Sequence, residues 1–269
     1  MTSTAPLRIL IVHPLLCQPQ SVEGNALVLH HRLRRRGLGA SIAIHQGPGP
    51  IPAADLYLVG GVEDVNLPRL AEALRAGGLP AAVSAGAAVL AVDAGLLVVG
   101  RTFQLADGSE REGVGLLDLT SRRAGTAAHG PVITRPNPIL GLPVMSGYET
   151  HVGRTTLGDG VEPLAELELG TGNGDGRDGA IAGRVIATWL HGPATARNPE
   201  LADLILRRVV DRDLEPLDDA AVGALRDQHV AEDRMDPTGW GGVAYGDAAY
   251  PWRRWFRRGK GTSAGQAQL

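Results

Sequence analysis

The stretch LPAAVSAGAAVLAV, residues 79–92, decides the fold. It reads as a buried strand (PAAVS), one small polar residue, and a tight turn into an apolar helix. In an α/β protein such a turn displays a nucleophile, with helix N–H groups aimed at developing negative charge. Ser84 stands at its apex, and Ala82, Ala85 and Gly86 are small enough for the turn. The same residues also fit a serine that caps a helix, so the surrounding chain has to arbitrate.

Upstream, LRILIVHPL (7–15) is a β-branched apolar run and reads as a core strand. VEGNALVLHHRLRRRG follows as a helix: Ala26, Leu27, Leu29 and Leu33 recur at helical spacing, Arg32, Arg34, Arg35 and Arg36 fall on or near the wet side, and Gly37 ends it. ASIAIHQ and ADLYLVGG are further strands, NLPRLAEALRAGG is a second amphipathic helix, and PAAVS is the fourth strand. This alternation predicts a doubly wound, mainly parallel α/β sheet wrapped by helices. Chemistry in such sheets gathers at the C-terminal ends of the strands, where VGGVED (59–64) and VSAG (83–86) both fall. The segment from Arg101 to Gly183 is glycine-rich and strand-like, and GTGNGDGRDG (170–179) is a loop or hairpin whose glycines serve turns. GRVIATWLHGP is a strand running into a histidine loop, and NPELADLILRRVV and DDAAVGALRDQHVAEDR are helices.

Composition bounds the function. The 269 residues carry a net charge of −3, which favours neither nucleic acid nor membrane in bulk. The uncharged run 81–100 is long enough to span a bilayer, but Asp93 and two internal glycines make a buried strand–turn–helix the better reading. No secretory signal is visible at the start, and a single cysteine, Cys17, excludes an internal disulfide and points to the cytoplasm. No histidine, cysteine or acidic residues have metal-ligand spacing. Residues 1–236 read as one domain and 237–269 as an appended tail. The tail joins Trp252, Trp255 and Phe256 to Arg253, Arg254, Arg257, Arg258 and Lys260, a composition suited to docking on a partner or to peripheral contact with an anionic membrane.

The candidate chemistry is a nucleophile and a base. His191 lies at a strand end before Gly-Pro and is placed to activate Ser84. His151, in YETHVGRT, is a second candidate. Gly60 and Gly61, together with Ala85 after the nucleophile, offer backbone N–H groups for an oxyanion.

Several segments in order then resemble one family: HPLLCQPQSVEGNALVLHHRLRRRG, ADLYLVGGVED, VSAGAAVLA, SGYETHVGRTTLG and TWLHGPATARNPELADLIL. They are similar to the CobB/CobQ-like class I glutamine amidotransferases, and among these to GatD-like glutaminase subunits of lipid II isoglutaminyl synthase. The resemblance implies the flavodoxin-like fold of class I amidotransferases. It also implies hydrolysis of L-glutamine by a cysteine–histidine pair and delivery of ammonia to a Mur-ligase-like (MurT-like) partner, in a heterodimer. ATP and magnesium belong to that partner, which activates the D-glutamate carboxyl of lipid II in peptidoglycan synthesis. No cofactor is expected in this chain.

On this resemblance His191 falls on the catalytic histidine and Ser84 on the cysteine. A hydroxyl is a far weaker nucleophile than a thiolate unless strongly assisted. Other positions depart too: Val62 replaces the third glycine of the oxyanion loop, Ala87–Ala88 replace a Tyr-Gln pair, and Ala127 stands where a substrate-binding arginine is expected, with Arg122 and Arg123 nearby but out of register. Three readings stay open: a degenerate subunit without efficient glutaminase activity, an active glutaminase whose cysteine was exchanged for serine, and a Ser84/His191 hydrolase.

Overall fold

The computed structural model describes residues 5–17 and 22–237. Its centre is a six-stranded sheet built from β1 (Leu7–Val12), β2 (Ala40–His45), β3 (Leu56–Val59), β4 (Ala88–Val92), β11 (Ala180–Ala182) and β12 (Val185–Thr188). The order is β11-β12-β4-β3-β1-β2, with all pairs parallel except β11 with β12. β3, β4 and β12 are buried at every position, as strands covered on both faces must be. Helices α1 (Glu23–Arg35) and α6 (Pro199–Val210) cover one face, where Leu29, Leu33, Leu201 and Ile205 meet Ile9, Leu58, Leu90 and Ile186. Helices α2 (Leu67–Ala76), α3 (Leu79–Ser84) and α4 (Gly95–Val99) lie on the other, where Leu70, Leu74, Leu79 and Leu96 meet Leu10, Tyr57, Val59 and Val89. The sheet is therefore doubly wound, as the alternation predicts.

The glycine-rich middle folds into a second sheet. β5 (Thr102–Gln104), β6 (Glu110–Glu112), β7 (Leu119–Thr134), β8 (Ser146–Leu157), β9 (Ala165–Leu169) and β10 (Arg177–Asp178) form it around the long antiparallel β7–β8 pair. This sheet stands over the C-terminal ends of the parallel strands: Tyr148 of β8 bridges to His191, just beyond β12. Helices α5 (Ala194–Arg197) and α7 (Ala220–Met235) complete the described chain.

The deciding stretch folds differently from its sequence reading. PAAVS is not the fourth strand but the body of α3, and the residues read as the following helix form β4. Pro80 sits in the first turn of α3, where its missing N–H is harmless and its fixed φ suits the helix. Gly78 at φ +90° precedes α3 and Gly86 at φ +105° follows it, both in the left-handed region open to glycine. The true strand-to-helix turn is Val92–Asp93–Ala94–Gly95, nine residues further on.

Arg32 is a second correction. It faces not water but a buried clamp, 6% exposed, with bonds of 2.7–2.8 Å to both Asp203 and Asp219. A solvated Arg32 would leave Asp203 of α6 with Arg36 alone and take the guanidinium from Asp219, at the start of α7. Among the described residues no helix is long and apolar enough to cross a membrane. The Trp/Arg-rich tail, apart from Pro237, lies outside the described residues.

Candidate active site

Four strand ends meet under the second sheet: His13 after β1, Gly60–Val62 after β3, Asp93 after β4, and Trp189–His191 after β12. Such a crevice outside the strand C-termini is where open α/β sheets bind ligands. Asp93 holds the turn from β4 into α4 at φ +55°, the sharp strained turn on which such folds raise a side chain into a site. Its N–H donates to the Thr188 carbonyl at 2.9 Å, and its own carbonyl accepts from Leu96 N–H at 2.9 Å. Gly95 must be glycine, because a Cβ there would lie 2.6 Å from the Val59 carbonyl oxygen.

The Asp93 carboxyl turns toward the glycine loop. A Cβ on Gly61 would lie 2.0 Å from its Oδ2, so only glycine leaves room for it. Burial pushes this carboxyl up to about 6, while His151 and the N–H of Ala94, which the carboxylate accepts, act in the opposite sense.

β8 supplies the neighbouring groups. Alternation along the strand puts Glu149 and His151 on one face, and both are buried. His151 Nε2 is 3.0 Å from Glu149 Oε2. Glu149 also accepts the N–H groups of Thr171 at 2.6 Å and Gly172 at 2.8 Å, which gives the GTGNGDGRDG loop its role. Burial pushes Glu149 up, but the bonds from His151, Gly172 and Thr171 outweigh it and hold the carboxyl below its usual value. The His151 ring stacks on Trp189 at 3.9 Å and 15°. His151 Nδ1 and Trp189 Nε1 are buried with no hydrogen-bond partner. Behind them, fully buried Asp178 accepts Thr188 Oγ1–H at 2.5 Å and Trp189 N–H at 3.2 Å, and burial pushes it up to about 6.

These groups enclose a cavity of about 260 Å³, walled by Asp93, His151, Trp189, Gln104, Arg122 and Arg123 among others. Arg123 is ion-paired to Asp64, and its N–H donates to Gln104 Oε1 at 3.1 Å. The Arg122 side chain has no hydrogen-bond or ion-pair partner among the described residues. Ala127 lies on the same wall, so the arginines read as out of register share the cavity with the position they were expected to fill.

The residues singled out from sequence separate. Gly60, Gly61, Arg122, Arg123 and His191 are at the crevice end of the sheet. Ser84 and Ala85 are not. Ser84 closes α3 before β4 begins, while His191 lies beyond the end of β12, and the two strands run parallel. Ser84 and Ala85 are both exposed, beyond the opposite end of the sheet. The Ser84–His191 pair and the contribution of Ala85 to an oxyanion loop are therefore not formed. The physical cause is the exchange of α3 for β4.

His191 donates its N–H to the Tyr148 carbonyl at 3.0 Å, and its ring meets the Tyr148 ring edge-on at 5.6 Å. Burial lowers its basicity, and His151 and His129 act in the same direction. It is His151 rather than His191 that walls the cavity. Cys17 is no substitute nucleophile: burial pushes its thiol up to about 11, despite the Gly60 N–H. No group of three or more potential metal ligands occurs among the described residues.

Sequence reading passed over Asp93, Glu149 and Asp178. For Asp93 a signal existed: a lone charge between a five-residue apolar run and Ala-Gly is a strand-to-helix turn.

Residues 25–199 match the CobB/CobQ-like glutamine amidotransferase domain. The subunit GatD of the glutamine-hydrolysing lipid II isoglutaminyl synthase of Staphylococcus aureus is 26% identical over 195 residues, covering 70% of this chain and 78% of that protein. The cobyric acid synthase of Pelotomaculum thermopropionicum is 33% identical over 163 residues, covering 53% of this chain but only 30% of that protein. Among solved structures, that of PurLQS from Thermotoga maritima aligns at TM-score 0.49 and 15% identity, covering 77% of this chain and 99% of that one.

Proposed function

The chain belongs to the CobB/CobQ-like glutamine amidotransferase family, and from that premise we propose that it is a GatD-like subunit of an ATP-dependent amidating enzyme that has lost its own glutaminase reaction. The partner in this proposal is a Mur-ligase-like (MurT-like) subunit that holds ATP and magnesium. The acceptor is a carboxylate such as the D-glutamate of lipid II, and the complex works in the cytoplasm.

One observation carries the loss of glutaminase activity: the strand-to-helix turn presents Asp93, not a thiol. Amide hydrolysis by such a site needs an electron pair at that turn and N–H donors for the oxyanion that develops beside it. Here the carboxylate already accepts the Ala94 N–H and fills the space over Gly61. An oxyanion formed there meets a like charge. Two unit charges 4 Å apart at an effective dielectric of 20 repel by about 4 kcal/mol, roughly a thousandfold in rate. Ser84 cannot take over, because it is exposed at the far end of the sheet. The same placement removes the support for a Ser84/His191 hydrolase.

The nitrogen then reaches the partner as free ammonia. The test is amidation of lipid II by the reconstituted pair with ATP and magnesium, supplied with either ammonium chloride or L-glutamine. Ammonium is expected to support product and glutamine is not. Glutamine-dependent amidation would overturn the proposal.

A further inference from the structure

The polar groups around the cavity can be accounted for one by one. Asp64 is paired with Arg123. Gln104 accepts from Arg123 N–H and donates to the Gly108 carbonyl at 3.1 Å. Ser121 shares a 3.0 Å bond with Thr155. Four groups are left over, one of them the buried Trp189 Nε1–H. Asp93 has a backbone N–H but no cationic side chain paired to it among the described residues. His151, nine-tenths buried, has an Nδ1 without a partner. Arg122 offers an unpaired guanidinium from an exposed position on the cavity wall.

The signs of these groups specify a ligand. His151 turns Nε2 to Glu149 and keeps Nδ1 without a partner, and Trp189 Nε1–H is a second buried group without one. Asp93 presents a carboxylate. A carboxylate with no cationic side chain paired to it among the described residues calls for a cationic ligand group that is all donor. A primary ammonium has three N–H donors and no acceptor. A carboxamide carries no charge to offset the Asp93 carboxylate. At the other pole Arg122 suits a carboxylate. A cavity of about 260 Å³ holds a molecule of amino-acid size.

We propose that the cavity over Asp93 binds a small molecule carrying a terminal primary ammonium and a carboxylate, with the ammonium seated against Asp93 and the carboxylate toward Arg122. This rests on the loss of glutaminase activity proposed above and names what the altered site takes in place of glutamine. A complex whose nitrogen chemistry answers to such a molecule would be controlled by an amine rather than supplied by an amide.

Titration calorimetry on the full chain tests it with L-ornithine, 5-aminopentanoate, L-glutamine and glutarate. These differ at the terminal group or the α-amine while keeping similar length. L-ornithine and 5-aminopentanoate are expected to bind at least about tenfold more tightly than L-glutamine or glutarate. Asp93→Asn is expected to remove that preference, and Arg122→Gln to weaken both ammonium ligands, with unchanged amide spectra showing each variant folded. Equal or tighter binding of L-glutamine, no binding of any probe, or ornithine affinity unchanged in Asp93→Asn would each overturn the proposal. Release of glutamate from glutamine defeats the functional proposal instead, whatever ornithine does, so the two failures are distinct.

Discussion

Asp93 combines a left-handed backbone with a carboxyl packed under a glycine loop. Left-handed φ is tolerated better by Asp and Asn than by other side chains with a Cβ, so the charge and not the backbone is the larger cost. Its proton affinity is raised to about 6 in the folded chain, against about 3.9 when unfolded. Between roughly pH 4 and pH 6 the native state therefore holds a proton that the unfolded state has lost, and this residue makes stability fall as pH rises through that window. Asp93→Asn should remove the fall: urea melts should show the variant more stable at pH 7 by about 1–3 kcal/mol, with no such gain near pH 4. A variant less stable than the parent at pH 7 would show that the carboxylate is held by more than it costs. At this scale the sequence displayed the residue but not its meaning. A charge inside LAVDAGLLVV reads as an interruption of an apolar run until the strand before it is known to end there.

The elements were legible where their patterns were long. α1, α2, α6 and α7 and strands β1, β2, β3 and β12 lie where periodicity and apolar runs place them. α3 and β4 exchanged because both are short and apolar, and periodicity does not separate a buried strand from a short buried helix. Pro80 does not settle it, because proline is tolerated both at the first residue of a strand and in the first turn of a helix. Arg32 escaped for another reason: its partners come from residues 203 and 219, a pairing that only tertiary structure creates. The clamp ties α1 to α6 and to the segment before α7, with Arg36 adding a 2.7 Å bond to Asp203. Removing Arg32 takes the guanidinium from Asp219 and leaves Asp203 with Arg36 alone, at a cost of up to about 3–5 kcal/mol. Arg32→Ala should lower the unfolding free energy by that amount in urea melts. Arg32→Lys should recover little, since an ammonium lacks the two-sided fork that reaches both carboxylates. Full recovery by lysine would reduce the clamp to a simple charge contact.

Across the whole molecule, the fold class follows from the βα alternation, and the strand ends that host the site follow from the fold class. The second sheet was visible only as a glycine-rich, strand-like stretch, because its pairings join residues far apart, such as Arg122 with Arg154 and Ala128 with His151. That sheet brings Glu149 and His151 over Asp93 and closes the cavity, which is why half of the site was not readable from one strand at a time. The molecule that results closes a crevice over the strand ends and presents the Asp93 carboxyl at its strand-to-helix turn. The most direct test is glutamate release from L-glutamine at pH 7.5 by the full chain with its partner subunit, measured beside Ser84→Ala and Asp93→Asn variants. The account predicts that all three stay at the uncatalysed background. Glutamate release by the parent chain would contradict it, and loss of that release in Ser84→Ala would return the nucleophile to the exposed end of the sheet.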